Sequence, residues 1–192
     1  CDILKTNLSL ELHMKYLIAY YSKTGNNRFL AEQLAHDVSA DVVEIVPRVK
    51  SFFLLLLTSL LKVSFGIKKI DKNLDDYDGV ILCGPIWMGQ LIAPLRDFIR
   101  KFRANIKTLY FVTCCASGDA ERDGKFGYVN VFKKVEQLAG SSFKEAQAFS
   151  VSLLIPEGQQ AEAEQMMQMK LTEETFTGKI AEYYTQFVQN IS

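Results

Sequence analysis

The chain reads as an α/β protein: a three-layer sandwich with helices on both faces of a five-stranded parallel sheet. Three observations predict this. Short runs of branched and aromatic residues alternate five times with stretches whose apolar residues recur at helical spacing. Strands joined through helices must run parallel, by right-handed crossovers. The 192 residues, 48% of them hydrophobic, contain no repeat or low-complexity linker, so they suit one core.

The first strand is predicted over Lys15 to Tyr21, closed by the turn-forming Ser-Lys-Thr-Gly. Phe29, Leu30, Leu34 and Val38 then set a helical period to about Ser39. Asp41 to Val46 is the second strand, Val49 to Phe65 an apolar helix, and Gly79 to Cys83 the third strand after the polar stretch Asp71 to Asp78. Leu91 to Phe102 is the third helix, with Pro94 tolerated in its first turn. Lys107 to Thr113 is the fourth strand, Tyr128 to Ala139 the fourth helix, Ala146 to Leu154 the fifth strand, and Glu162 to Gln189 a terminal helix or helix pair. Residues 1–14 read as an N-terminal extension and 15–192 as the domain, with Met14 the expected native start.

Composition narrows the function classes. Twenty-two basic residues balance twenty-two acidic ones, which removes the global field that nucleic-acid binding requires. Cys1, Cys83, Cys114 and Cys115 lack zinc-site spacing, and a chain of this size needs no disulfides, which fits a reducing, cytoplasmic setting. The first thirteen residues do not form a secretory signal. Phe52 to Leu61 stops at Lys62, well short of the roughly 18 to 20 apolar residues of a spanning helix. His13 and His36, the only histidines, have no partner for metal or nucleophilic chemistry.

In open parallel sheets ligands bind beyond the carboxyl ends of the strands, so three loops matter. In the first, Gly25 permits a close turn, the hydroxyls of Ser22 and Thr24 and the amides of Asn26 and Asn27 can donate to phosphate oxygens, and a helix N-terminus follows. The loop matches neither GxxxxGK-S/T nor GxGxxG, and an ordinary helix cap is the competing reading. The second loop, Gly84 with Pro85, Ile86, Trp87, Met88 and Gly89, offers one large aromatic and a thioether to a flat, amphipathic ring. A buried structural tryptophan is the alternative there. In the third, Thr113, Cys114, Cys115, Ala116, Ser117, Gly118 and Asp119 let backbone approach a ligand edge, whereas Glu121 to Lys125 reads as solvated surface.

The segments YYSKTGNNRFLAEQLA, GPIWMGQLIAPLRDFI and TCCASGD, in this order and spacing, resemble the flavodoxin-like FMN proteins. The resemblance covers Lys15 to Ser192. It implies FMN as cofactor, with Ser22, Thr24, Gly25, Asn26 and Asn27 on its phosphate, Pro85 to Gly89 packed on the isoalloxazine, and Thr113 to Asp119 closing the other side. Asn27 stands where threonine is common, and the neutral charge departs from the acidic pattern of flavodoxins that shuttle electrons. The expectation is an FMN redox protein that carries electrons to a redox partner protein or a small-molecule acceptor. The alternatives are an NAD(P)H-dependent quinone or flavin reductase, and a cofactor-less interaction module of the same fold.

The second helix is apolar nearly all round, so coverage on more than one side is expected. Burial between sheet and helix, or a homodimer contact through 51–65, is favoured over a membrane-surface contact by its basic flanks. Cys114 and Cys115 are expected to be buried thiols rather than a redox pair. Met166, Met167 and Met169 are expected on the packing face of the last helix.

Overall fold

The computed structural model describes residues 14–116, 127–155 and 163–191. The extension before Met14, Ser117 to Asp119 and the start of the terminal helix at Glu162 lie outside the described residues. In chain order the elements are β1 (Tyr16–Tyr20), α1 (Asn26–Asp37), β2 (Asp41–Glu44), α2 (Phe52–Leu60), β3 (Gly79–Cys83), β4 (Ile86–Trp87) and β5 (Gln90–Leu91). There follow α3 (Ala93–Phe102), β6 (Leu109–Cys115), α4 (Val129–Ala139), β7 (Phe143–Ser150), α5 (Ala163–Gln168) and α6 (Lys179–Ile191).

Every residue of β1 and β3 is buried, as central strands of a twice-covered sheet require. The sheet order is β2-β1-β3-β6-β7, all neighbours parallel, which is the predicted flavodoxin-like sandwich. The order reverses between β1 and β3, so a crevice opens at their carboxyl ends. Alternate strand residues feed two cores. Ile18, Ile81, Val112 and Phe149 meet Leu30 and Leu34 of α1 and Ile180, Tyr184 and Phe187 of α6. Leu17, Leu82 and Phe111 meet Leu95, Phe98 and Ile99 of α3 and Val131 and Val135 of α4.

Several boundaries move for identifiable reasons. Leu91 belongs to the β4–β5 hairpin, so α3 starts at Ala93 with Pro94 in its first turn. The Ser150 hydroxyl accepts the Ser152 N–H at 3.2 Å, which ends β7 and turns Val151–Leu154 into a 3-10 segment rather than strand. The terminal segment is a helix pair, α5 and α6.

The largest correction concerns α2. Ser51 caps it, and Lys62, at φ 57°, lies in the left-handed region just beyond it, so it is shorter than Val49 to Phe65. Its inward face is Leu55, Thr58 and Ser59, the two hydroxyls bonding back to the Leu55 carbonyl. Ser59 also accepts the Ala93 N–H at 2.9 Å and so caps α3. Phe52, Phe53, Leu54, Leu57, Leu60 and Leu61 remain exposed. The helix is covered along one side only, with Leu55 and two hydroxyls inward and most of its apolar side chains outward, against the expectation of burial between sheet and helix. No helix among the described residues is long and apolar enough to cross a membrane.

Two predictions follow from this packing. A Cβ on Gly84 would stand 2.7 Å from Leu95 Cδ1 and 3.0 Å from Cδ2, and Leu95 is fully buried in the core. Gly84→Ala is expected to destabilise by about 1–3 kcal/mol, seen as a lower urea midpoint at unchanged slope. Tyr77 donates to Asp41 Oδ2 at 2.6 Å, and Lys72 Nζ lies 3.2 Å from the same oxygen. The tyrosine bond first, and the lysine second, hold the Asp41 carboxyl below its ordinary value. A depressed folded pKa stabilises above the unfolded value and is lost as pH falls through the folded one. Tyr77→Phe should therefore cost more stability near neutral pH than in strong acid, where denaturation curves of the two proteins should converge.

Candidate functional site

A cleft of about 500 Å³ lies beyond the carboxyl ends of β1, β3 and β6, within the roughly 300–1,000 Å³ of small-molecule sites. It gathers Thr24, Asn26, Asn27, Pro85, Ile86, Trp87, Met88, Cys114, Cys115 and Ala116 from the three predicted loops. Ser22, Gly25, Gly89 and Thr113 do not line it. Ser117, Gly118 and Asp119 lie outside the described residues.

The first loop is built differently from an ordinary helix cap. Gly25 takes φ 102° at the N-cap position of α1 and no side chain caps the helix. The Ser22 hydroxyl instead accepts the Gly25 N–H at 3.1 Å, folding the loop on itself. Among the described residues, the N–H groups of Asn26, Asn27 and Arg28 meet no acceptor. They sit at the positive end of a 12-residue helix with no acidic residue in its first turn.

The two asparagine side chains serve the scaffold. Asn27 Oδ1 accepts the Cys114 N–H at 2.8 Å while its Nδ2 donates to the Cys114 carbonyl at 3.1 Å. Asn26 does the same for the C-terminal segment, with Nδ2 to the Met169 carbonyl at 2.9 Å and Oδ1 from the Leu171 N–H at 3.1 Å. Each side-chain amide thus bridges a backbone acceptor and donor, and the anion-binding capacity of the loop resides chiefly in its main-chain amides.

The opposite wall is the β4–β5 hairpin, turned by Met88 and Gly89 at φ 49° and 64°. A two-residue turn with both φ positive suits hairpin twist, and a methionine there is uncommon. It leaves Met88 exposed on the cleft. Trp87 is half-buried, edge-on to Tyr21 at 6.0 Å and to Phe52 at 5.0 Å between ring centroids. It lines the cleft rather than disappearing into the core.

β6 extends two residues past its predicted end, carrying Cys114 and Cys115 into the cleft wall. Burial, with neighbouring thiols second, pushes the Cys83 and Cys114 thiols well above their ordinary value and favours the protonated form, and Cys114 and Cys115 are buried, as expected. Thr113 points to the α3–α4 core, fully buried, its hydroxyl without a partner among the described residues.

Sequence reasoning missed several residues. Lys170 Nζ reaches back to the Thr24 carbonyl at 2.5 Å, placing a cation at the first loop from 146 positions away. Lys23 Nζ lies 5.7 Å from the Phe52 ring centroid. Phe52 and Leu56 of α2, and Val151, complete the apolar wall. Met166 and Met167 also line the cleft, with Met167 64% exposed, so α5 presents methionine to the site as well as to the core. Three methionines within four residues were the only signal.

The flavodoxin domain matches residues 58–177, more than half of the chain. The chain belongs to the flavodoxin domain family. No curated protein sequence matches it. In structure this flavodoxin domain is similar to a flavoprotein of Lactobacillus acidophilus NCFM solved in complex with FMN, at 16% identity and TM-score 0.57 over 70% of this chain and 93% of that one. It is also similar to a Bacteroides eggerthii protein described as a flavoprotein, at 19% identity and TM-score 0.58 over 80% and 94% of the two chains. These likenesses are of fold.

The Asn27 bridge is the most consequential contact of the flavodoxin domain's cleft. Asn27→Ala leaves a buried N–H and carbonyl of Cys114 unpaired, an expected loss of about 2–4 kcal/mol. Chemical denaturation measures it, and faster amide exchange at Cys114 locates it.

Proposed function

We propose that the cleft binds FMN and that the chain is a redox protein carrying electrons on that flavin. The observation that carries this reading is the set of unpaired α1 N–H groups behind left-handed Gly25, at one end of a cleft whose opposite wall is a half-buried tryptophan. An open phosphate cradle and a flat aromatic wall are the two ends of one elongated, amphipathic ligand. Among the described residues, a Cβ on Gly25 would meet nothing within 4 Å.

On this reading the amides of Asn26, Asn27 and Arg28 and the Thr24 hydroxyl would hold the phosphate, with Lys170 and Lys23 adding positive charge. Pro85 to Met88 would pack on the ring, chiefly through Trp87 and Met88, and the backbone from Cys114 to Ala116 would approach its edge. FMN supplies one- and two-electron transfer, and the protein supplies anchoring, orientation and polarity around the ring. Within the cleft, burial holds the Cys114 thiol protonated.

One observation supports a reductase as the second reading. Phe52 and Leu56 belong both to the cleft wall and to the apolar α2, whose exposed face would suit a lipophilic acceptor or a partner surface.

Trp87 is the only tryptophan, so its emission reports on the cleft alone. FMN titration should quench it saturably. Thr24→Ala with Gly25→Val, which places a branched residue at φ 102°, should weaken FMN binding by about a hundredfold or more at unchanged circular dichroism. Normal flavin retention in that variant overturns the site. Bleaching of the bound flavin by NADPH alone would select the reductase, and a protein that takes up no FMN would select the interaction module.

A further inference from the structure

On the far side of the β4–β5 hairpin from the cleft lies a second cavity, of about 290 Å³, between the end of α2, β5, α3 and α4. Its polar lining is Lys62, Arg96, Arg100 and Lys134 with Gln90 and Gln137, and among the described residues no carboxylate lines it. Four cations around one small volume repel one another unless an anion sits among them. Burial, and then Lys62, push the Lys134 ammonium below its ordinary value.

Arg96 makes this more than a basic surface. Its residue is only 6% exposed, and although the neighbouring Asp97 carboxylate favours its charge from further off, no carboxylate among the described residues lies within ion-pair distance. Its Nη2 donates to the Thr58 carbonyl at 3.2 Å and the Val63 carbonyl at 2.6 Å, gripping the end of α2. That structural role uses one nitrogen of the guanidinium, and the buried Nε has no partner. A buried cation with an unspent donor is costly unless an anion completes it. Gln90 is already oriented, its Oε1 accepting from Lys134 Nζ at 2.8 Å, which turns its amide nitrogen to other partners.

We propose that this cavity is a second anion site that binds a phosphoryl group, separate from the flavin cleft. Guanidinium forks match the paired oxygens of a phosphate, and lysine ammonium groups add charge without demanding geometry. Two sources share this chemistry: a soluble phosphate compound, or the headgroup of an anionic lipid. The exposed apolar face of α2 ends at Lys62 beside the cavity, which makes the second source worth its own arm of the test.

The ¹⁵N-labelled full chain is titrated with inorganic pyrophosphate at constant ionic strength held by chloride, in two-dimensional NMR. Saturable shifts are expected at the Arg96 Nε–H and the side-chain amides of Gln90 and Gln137, scored separately from the amides of Gly25 to Arg28 in the cleft. Arg100→Gln, at an exposed helix position, combined with Lys134→Gln, at a half-buried one, should weaken that response by about tenfold or more while leaving the spectrum folded. Sedimentation with phosphatidylcholine vesicles, with and without phosphatidylglycerol, separates the sources. Pelleting that needs phosphatidylglycerol and is lost in the double variant assigns a lipid headgroup. Pyrophosphate binding without pelleting assigns a soluble phosphate. Shifts confined to Gly25–Arg28, or pyrophosphate binding unchanged by the double substitution, overturn the proposal.

Discussion

The Asn27 side chain, bonded through both its polar ends to the backbone of Cys114, joins the start of α1 to the end of β6. The site depends on that link. β1 and β6 are not neighbours in the sheet, since β3 lies between them, and their loops would otherwise be independent. Cys83 donates from β3 to the Asn27 carbonyl at 3.2 Å, so one residue draws three strand ends to a common point. Asn26 extends the same device to the segment before α6. Two adjacent asparagines thus set the floor of the cleft, while the main-chain amides beside them stay open to solvent or ligand.

That division of labour follows from what each group can do. A side-chain amide carries both a donor and an acceptor and can bridge a peptide unit in a buried place. Main-chain N–H groups at a helix start carry only donors, aligned with the helix dipole, and are the better anion ligands. The departure at Asn27 from the threonine common in flavodoxin-like proteins therefore alters the scaffold, while the amide cradle remains.

α2 shows the reverse economy. Its hydroxyls are spent inward, where Ser59 caps α3 and both Thr58 and Ser59 bond within the helix. Its phenylalanines and most of its leucines, Leu55 excepted, face outward, at a direct loss of hydrophobic burial. Such an arrangement joins one wall of the cleft to an apolar outer surface and ends at a cluster of cations. The same helix therefore lines the cleft through Phe52 and Leu56 and leads, just beyond its end, through Lys62 to the cationic cavity.

The strand and helix order, and the three loops at strand ends, were legible because period and turn chemistry are local properties of a chain. The Gly25 loop and the Trp87 loop could be read that way, their glycines marking tight turns that the structure gives positive φ at Gly25 and Gly89. Periodicity was uninformative for α2, where nearly every position is apolar and no face is distinguished. Lys170 could not be found at all, because its partner Thr24 lies 146 residues earlier. The chain by itself determined which segments are strands, which are helices and which loops meet at one sheet end, since these follow from local patterning and the handedness of crossovers. Only the tertiary structure decided which polar groups are consumed by the scaffold and which remain free, because hydrogen-bond satisfaction depends on neighbours brought together across the whole fold.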